Sequence, residues 1–70
     1  MTYTVIIEKG ETSYGAYVPD LAGCVAAGET EEEVRTLIKE AIEFHLEGIR
    51  ESGGFIPEPK SKSEIVEIAA

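Results

Sequence analysis

The stretch Tyr14-Gly15-Ala16-Tyr17-Val18-Pro19-Asp20-Leu21-Ala22-Gly23-Cys24-Val25-Ala26-Ala27-Gly28-Glu29-Thr30-Glu31-Glu32-Glu33 decides how this chain folds. It opens with alternation. Tyr14, Ala16 and Val18 fall on one side of an extended chain, and Gly15 and Tyr17 on the other, which is the period-two signature of a strand. Pro19 has no amide hydrogen to give to a ladder, so the strand ends there. Asp20 and Gly23 supply turn chemistry. Cys24–Ala27 is a run of small apolar residues that reads as a short returning strand, closed by Gly28. Thr30 and Glu33 then form a capping box, with Glu31, Glu32 and Glu33 in a first helical turn whose dipole favours negative charge.

Working upstream, Tyr3–Glu8 alternates with Tyr3, Val5 and Ile7 on one face. The polar, glycine-containing segment Lys9-Gly10-Glu11-Thr12-Ser13 joins it to the strand at Tyr14, which makes a β-hairpin. Downstream, the helix is predicted to run from its Thr30 cap to about Glu51 or Ser52 and to stop at Gly53-Gly54. At ~100° per residue, Leu37, Ile38, Ala41, Ile42, His45 and Ile49 lie within about 80° of Val34, and Phe44 and Leu46 flank them. The apolar arc is then roughly 200° wide, twice what one sheet covers. Beyond the helix, Pro57 and Pro59 stiffen a connector. Glu64–Ile68 returns to alternation, with Val66 and Ile68 on one face, and reads as a last strand. The expected fold class is therefore α+β in the order β-β-β-α-β, one mainly antiparallel sheet covered by one helix.

Length and charge bound the function. Seventy residues make one domain, spanning residues 1–70, with a small core. Fourteen acidic and six basic side chains give a formal net charge of −8. Residues 1–29 carry −3, residues 30–51 carry −4 and residues 52–70 carry −1. No two Lys or Arg residues are adjacent. Binding to nucleic acid or to an anionic membrane needs clustered cations, so neither is expected. An acidic chain suits a basic partner, because complementary charge speeds and orients encounter. One cysteine excludes an internal disulfide, and one cysteine with one histidine is no zinc set. The longest apolar run, Cys24–Ala27, is far short of a membrane span, and no basic segment followed by an apolar run opens the chain. The expected compartment is the cytoplasm.

Few residues suggest chemistry. His45, the only imidazole, sits within the apolar arc and reads as a packed helix residue, since no second ligand or orienting partner accompanies it. Cys24 reads as a small buried hydrophobe, although the helix start a few residues on leaves a modest effect on its thiol open. The glycines are too scattered for a phosphate loop. No catalytic residue, cofactor site or metal site is assigned, and the chain is not expected to be an enzyme.

The segment Tyr14–Cys24, the string Gly28–Glu33, the helix text Glu40-Ala41-Ile42-Glu43-Phe44-His45-Leu46 and the tail Gly54-Phe55-Ile56-Pro57-Glu58-Pro59 together resemble the HicB-like family, the antitoxin half of HicA/HicB toxin–antitoxin pairs. The resemblance covers nearly the whole chain. It implies a partial ribonuclease-H-like fold without ribonuclease activity, and a small basic HicA-like mRNA-cleaving toxin as partner. Two departures stand out. Ala22 occupies a position where the family commonly has proline, and no helix-turn-helix or ribbon-helix-helix follows, so a separate DNA-binding domain is not expected. Partner contact is expected at Asp20, Glu29, Glu31 and Glu32. A homodimer or higher homo-oligomer is expected to cover Phe44, Leu46 and Ile49. The alternatives are an orphan binding or adaptor module without a toxin and, further off, a ribonuclease-H-related enzyme.

Overall fold

Three short strands precede one long helix in the computed structural model, which describes residues 1–69: β1 at Ile6–Lys9, β2 at Tyr14–Tyr17, β3 at Val25–Gly28 and α1 at Glu31–Glu51. The strands form one antiparallel sheet in the order β1-β2-β3, and the helix packs over it, most closely on β3. The architecture is α+β.

The hairpin register pairs Ile6 with Tyr17, Ile7 with Ala16, Glu8 with Gly15 and Lys9 with Tyr14. Its turn is closed by the Gly10 amide donating to the Ser13 carbonyl at 2.7 Å. The expected inner face is observed, with Ala16 and Val18 buried and Tyr3, Val5, Ile7 and Tyr14 packed against the core. The first ladder, however, starts at Ile6 rather than Tyr3. The reason lies in its partner. β2 ends at Tyr17, ahead of Pro19, which has no amide hydrogen to give to a ladder, so the pairing with β1 stops at Ile6 and Tyr17.

The helix ends where local chemistry ends it. The Thr30 hydroxyl accepts from the Glu33 amide at 3.0 Å. At the other end the Gly53 amide donates to the Arg50 carbonyl at 3.1 Å and the Gly54 amide to the Ile49 carbonyl at 3.0 Å. Gly53 sits at φ +74. That pair of bonds is a Schellman motif, which satisfies terminal carbonyls and needs a left-handed residue.

The core is small: Ala16, Val18, Leu21, Cys24, Val34 and Ile38 are buried, with Ala26, Ala41, Ile42 and Leu46 packed beside them. The helical stripe therefore faces the sheet through Val34, Ile38, Ile42 and Leu46, off-centre within the apolar arc. Leu46, one flank, packs on the core, whereas Phe44, the other, is 80% exposed.

The expected fourth strand is corrected. Glu64–Ile68 has no sheet partner and every residue from 62 to 69 is exposed. The element order is β-β-β-α, followed by an extended tail. The tail also sets the shape. The radius of gyration is 13.8 Å and the long axis 48 Å, against about 11 Å expected for a compact chain of this length.

Candidate partner-binding surface

The turn after β2 is built from two overlapping reversals. The Leu21 amide donates to the Val18 carbonyl at 3.1 Å, and the Cys24 amide donates to the Leu21 carbonyl at 3.1 Å. Pro19 takes the second place of the first turn, where its fixed φ suits. Gly23 takes the third place of the second turn at φ +81, a conformation that L side chains rarely adopt. The double turn drives Leu21 into the core, 1% exposed, and leaves Asp20 on the rim.

Asp20 is not a free surface charge. One carboxylate oxygen accepts from the Lys60 amide at 3.0 Å and the Ser61 amide at 2.9 Å, and the other accepts from the Ser61 hydroxyl at 2.9 Å. The Ser61 amide does most to hold the carboxyl below its ordinary value of 3.8, helped by the Ser61 hydroxyl, the Lys60 amide and the Lys60 charge, and opposed by desolvation. Two further bonds tie the same stretch down: the Thr4 hydroxyl donates to the Ser61 carbonyl at 2.8 Å, and the Tyr3 hydroxyl donates to the Pro57 carbonyl. Asp20 and the residues before β1 thus clamp the tail at 57–61.

The other acidic candidates lie where the helix begins. Glu29, Glu31 and Glu32 are all exposed. Arg35 approaches Glu31 at 3.9 Å one turn on, with both side chains well exposed, a pair that contributes little. Beside them runs a shallow open groove lined by Thr30, Glu32, Glu33, Thr36, Leu37 and Glu40. Half-buried Leu37 supplies its apolar part and three carboxylates its charge. Exposed Phe44 lies one helical turn beyond Glu40. One side of α1 therefore presents carboxylates beside an apolar ridge of Leu37 and Phe44.

The remaining candidates have structural surroundings. Cys24 is buried, and burial pushes its thiol up rather than down, which makes it a poor nucleophile at neutral pH. His45 is half-buried on α1. Ile49 is half-buried, with a methyl close against the Gly54 backbone. Among the described residues no group of three or more His, Cys, Asp or Glu side chains could hold a metal ion, and no helix is long and apolar enough to cross a membrane.

Residues 3–69 match the family model described as the HicB-like antitoxin of bacterial toxin–antitoxin systems. The chain belongs to that family. Among its relatives, an uncharacterized 14.9 kDa protein in the rep-hol intergenic region of Haemophilus phage HP1 is 44% identical over 57 residues, covering 81% of this chain and 43% of the phage protein. A UPF0150 protein of Helicobacter pylori is 50% identical over 46 residues, 66% of this chain and 64% of that one. A UPF0150 protein of Thermoplasma acidophilum is 43% identical over 58 residues, 81% and 84% of the two chains. The chain thus spans less than two thirds of the length of the first two. Among solved structures, a chain of a HicA3 and HicB3 toxin–antitoxin complex superposes with a TM-score of 0.71 at 32% identity, over 84% of this chain and 70% of that one.

Within this HicB-like chain, the structure brings Glu31 and Glu32 together at the helix start and puts Asp20 in a different role, at the tail clamp. Sequence reasoning placed Glu33 in the acidic helix start but missed Leu37 and Glu40 as lining of the same helix face. The i, i+4 and i+7 spacing of the three was the available signal. What hid it was the width of the apolar arc, because only the docked sheet shows which flank stays open.

Proposed function

We propose that this chain is an antitoxin that binds and neutralises a small basic HicA-like toxin in the cytoplasm, through the acidic side of α1. The family match makes an antitoxin role the natural one for the fold, and the related structure is that of a toxin–antitoxin complex. The observation that carries the reading is the open face where Glu32, Glu33 and Glu40 surround Leu37, next to exposed Glu29 and Glu31 and exposed Phe44. A cationic partner gains long-range attraction from the carboxylates. An apolar anchor on the partner would find Leu37 and Phe44, the combination of central contact and charged rim that interfaces use. Asp20 contributes indirectly, by holding the tail in place.

The test is co-expression with the product of the adjacent reading frame, followed by isolation of the complex and measurement of growth. A stable complex that restores growth supports the reading. Its interface is then mapped with the folded triple variant Glu29→Lys, Glu31→Lys, Glu32→Lys and, separately, Phe44→Ala. Reversal is expected to slow association at physiological salt and to weaken its salt dependence. Binding by the reversed chain with unchanged rate and salt dependence would move the interface elsewhere.

A further inference from the structure

We propose that the acidic side of α1 is a helix-docking seam: it takes a cationic amphipathic helix of the partner, laid along Leu37, Ala41, Phe44 and Gly48, with lysines or arginines of that helix on Glu33, Glu40 and Glu47. The inference rests on the antitoxin reading for the partner's identity and deepens it by naming what the partner presents.

Three observations converge on this arrangement. The first is spacing. Leu37 and Phe44 are seven residues apart, Ala41 and Gly48 are seven apart, and Glu33, Glu40 and Glu47 repeat at seven. A seven-residue repeat keeps to one side of a helix, so these positions form a seam of large and small rungs with one row of carboxylates beside it. The row is about 21 Å long at 1.5 Å per residue. The second is exposure. Phe44 is 80% exposed, Leu37 is half-buried, and Gly48 and the three glutamates are exposed. The groove of Thr30, Glu33, Leu37 and Glu40 is the near end of the same seam. Beyond the local helix backbone, nothing lies within 4 Å of the place where a Gly48 side chain would begin. A glycine there weakens the helix, yet it leaves a gap beyond Phe44 into which another backbone can come close. The third is the sorting of charge. Arg35, Lys39 and Arg50, the cations of α1, lie about 120–180° round the axis from Phe44, so none offsets the glutamate row.

These features select a helix of opposite charge. The backbone groups of α1 are bonded within the helix, so a strand cannot add to it and side chains alone make the contact. A partner helix repeats its side chains every seven residues at about 10.5 Å, which is the rise between the rungs of this seam. A loop or an extended strand has no such repeat. The carboxylate row needs cations on the other side, because a buried unpaired charge is costly. A second copy is opposed by charge, since a two-fold pairing of this seam with itself sets one glutamate row against the other. The chain's own residues 57–61 are held by Asp20, Thr4 and Tyr3, and Phe44 stays exposed with that stretch in place.

The test uses the full chain and two probes. The first is a synthetic peptide of about 21 residues with leucines in a 3.5-residue repeat and lysines flanking them; a scrambled peptide of the same composition is the control. The patterned peptide is expected to gain helicity on binding and to move the amide resonances of Leu37, Ala41, Phe44 and Gly48. It is expected to bind at least about tenfold more tightly than the scrambled one. Gly48→Gln fills the gap at a place with room for it, so it is expected to keep or raise the thermal stability of the free chain and to weaken binding about tenfold. Glu40→Lys combined with Glu47→Lys is expected to weaken binding at least about tenfold as well. Equal binding of the two peptides, resonance changes away from the seam, or indifference to either set of substitutions would each overturn the proposal. The second probe is the product of the adjacent reading frame. A complex that forms with undiminished affinity for the Gly48→Gln chain would overturn the seam and leave the antitoxin reading standing. No complex at all would count against that reading, and the peptide would still decide the seam.

Discussion

The turn Val18–Cys24 and the arm 62–69 are segments of similar length, and each carries three apolar side chains of core type. The turn buries Val18, Leu21 and Cys24, whereas the arm leaves Ile65, Val66 and Ile68 in solvent. Hydrophobicity does not separate them. What separates them is the distance to the groups that close them. The turn is closed by three backbone hydrogen bonds spanning at most six residues, so little loop entropy is lost before burial begins. Its side chains then meet Val34 and Ile38 in the core cluster. The arm follows a stretch that Asp20, Thr4 and Tyr3 hold beside the start of β1, yet its own residues make no ladder and lie exposed. Burial follows where local hydrogen bonds set the side chains against the core, and alternation alone does not bring it about.

The contrast can be broken most severely at Leu21. Leu21→Ala is expected to cost about 2–5 kcal/mol through lost burial and a cavity, whereas Ile65→Ala is expected to leave stability within about 0.5 kcal/mol; urea unfolding measures both. A comparable loss at the two sites would mean that the arm packs on its own chain after all. Gly23→Ala should cost about 1–2 kcal/mol, because the turn demands φ +81 while the space around its Cβ is open. Gly48 lies inside α1 with nothing near its Cβ. Gly48→Ala is therefore expected to move stability the other way, by about 0.5–1 kcal/mol in favour of the fold.

The gentlest change sharpens the comparison at the junction of the two regions. Asp20→Ala is expected to release the root of the arm without unfolding the core, seen as loss of the ordered Ser61 amide resonance at neutral pH. In the unaltered chain the clamp rests on an ionised carboxylate whose pKa is lowered. Its contribution is present above the ordinary value of 3.8 and is lost as pH falls through the lowered folded value. Titration of the Ser61 amide shift should show its midpoint below 3.8. A midpoint at or above that value would mean that the Asp20 bonds do not persist in solution.

Much of the fold was legible in the residue order because its signals are local. Thr30 and Glu33 mark the helix start three residues apart, and Gly53 marks its end. Alternation in Tyr3, Val5, Ile7, Tyr14, Ala16 and Val18 predicted the inner face, and these residues do line the core. The boundaries slipped by up to three residues where a ladder depends on a partner: β1 begins only at Ile6 because β2, its partner, ends at Tyr17 ahead of Pro19. The candidate surface was half visible. The acidic helix start, Glu33 included, was plain, but Leu37 and Glu40 were not singled out, since an isolated helical wheel cannot say which flank of a wide apolar arc the sheet will take.

The sequence alone thus determined the α+β class, the hairpin, the helix limits and the family, all of which rest on spacing within a few residues or on short strings. Only the tertiary structure decided three things. Asp20 became an internal clamp because its donors, Lys60 and Ser61, lie forty residues further on. Leu46 turned to the core and Phe44 to solvent because the sheet docks off-centre on α1. The alternation of Glu64–Ile68 produced no strand, because a strand is a relation between two segments and alternation by itself does not supply the ladder.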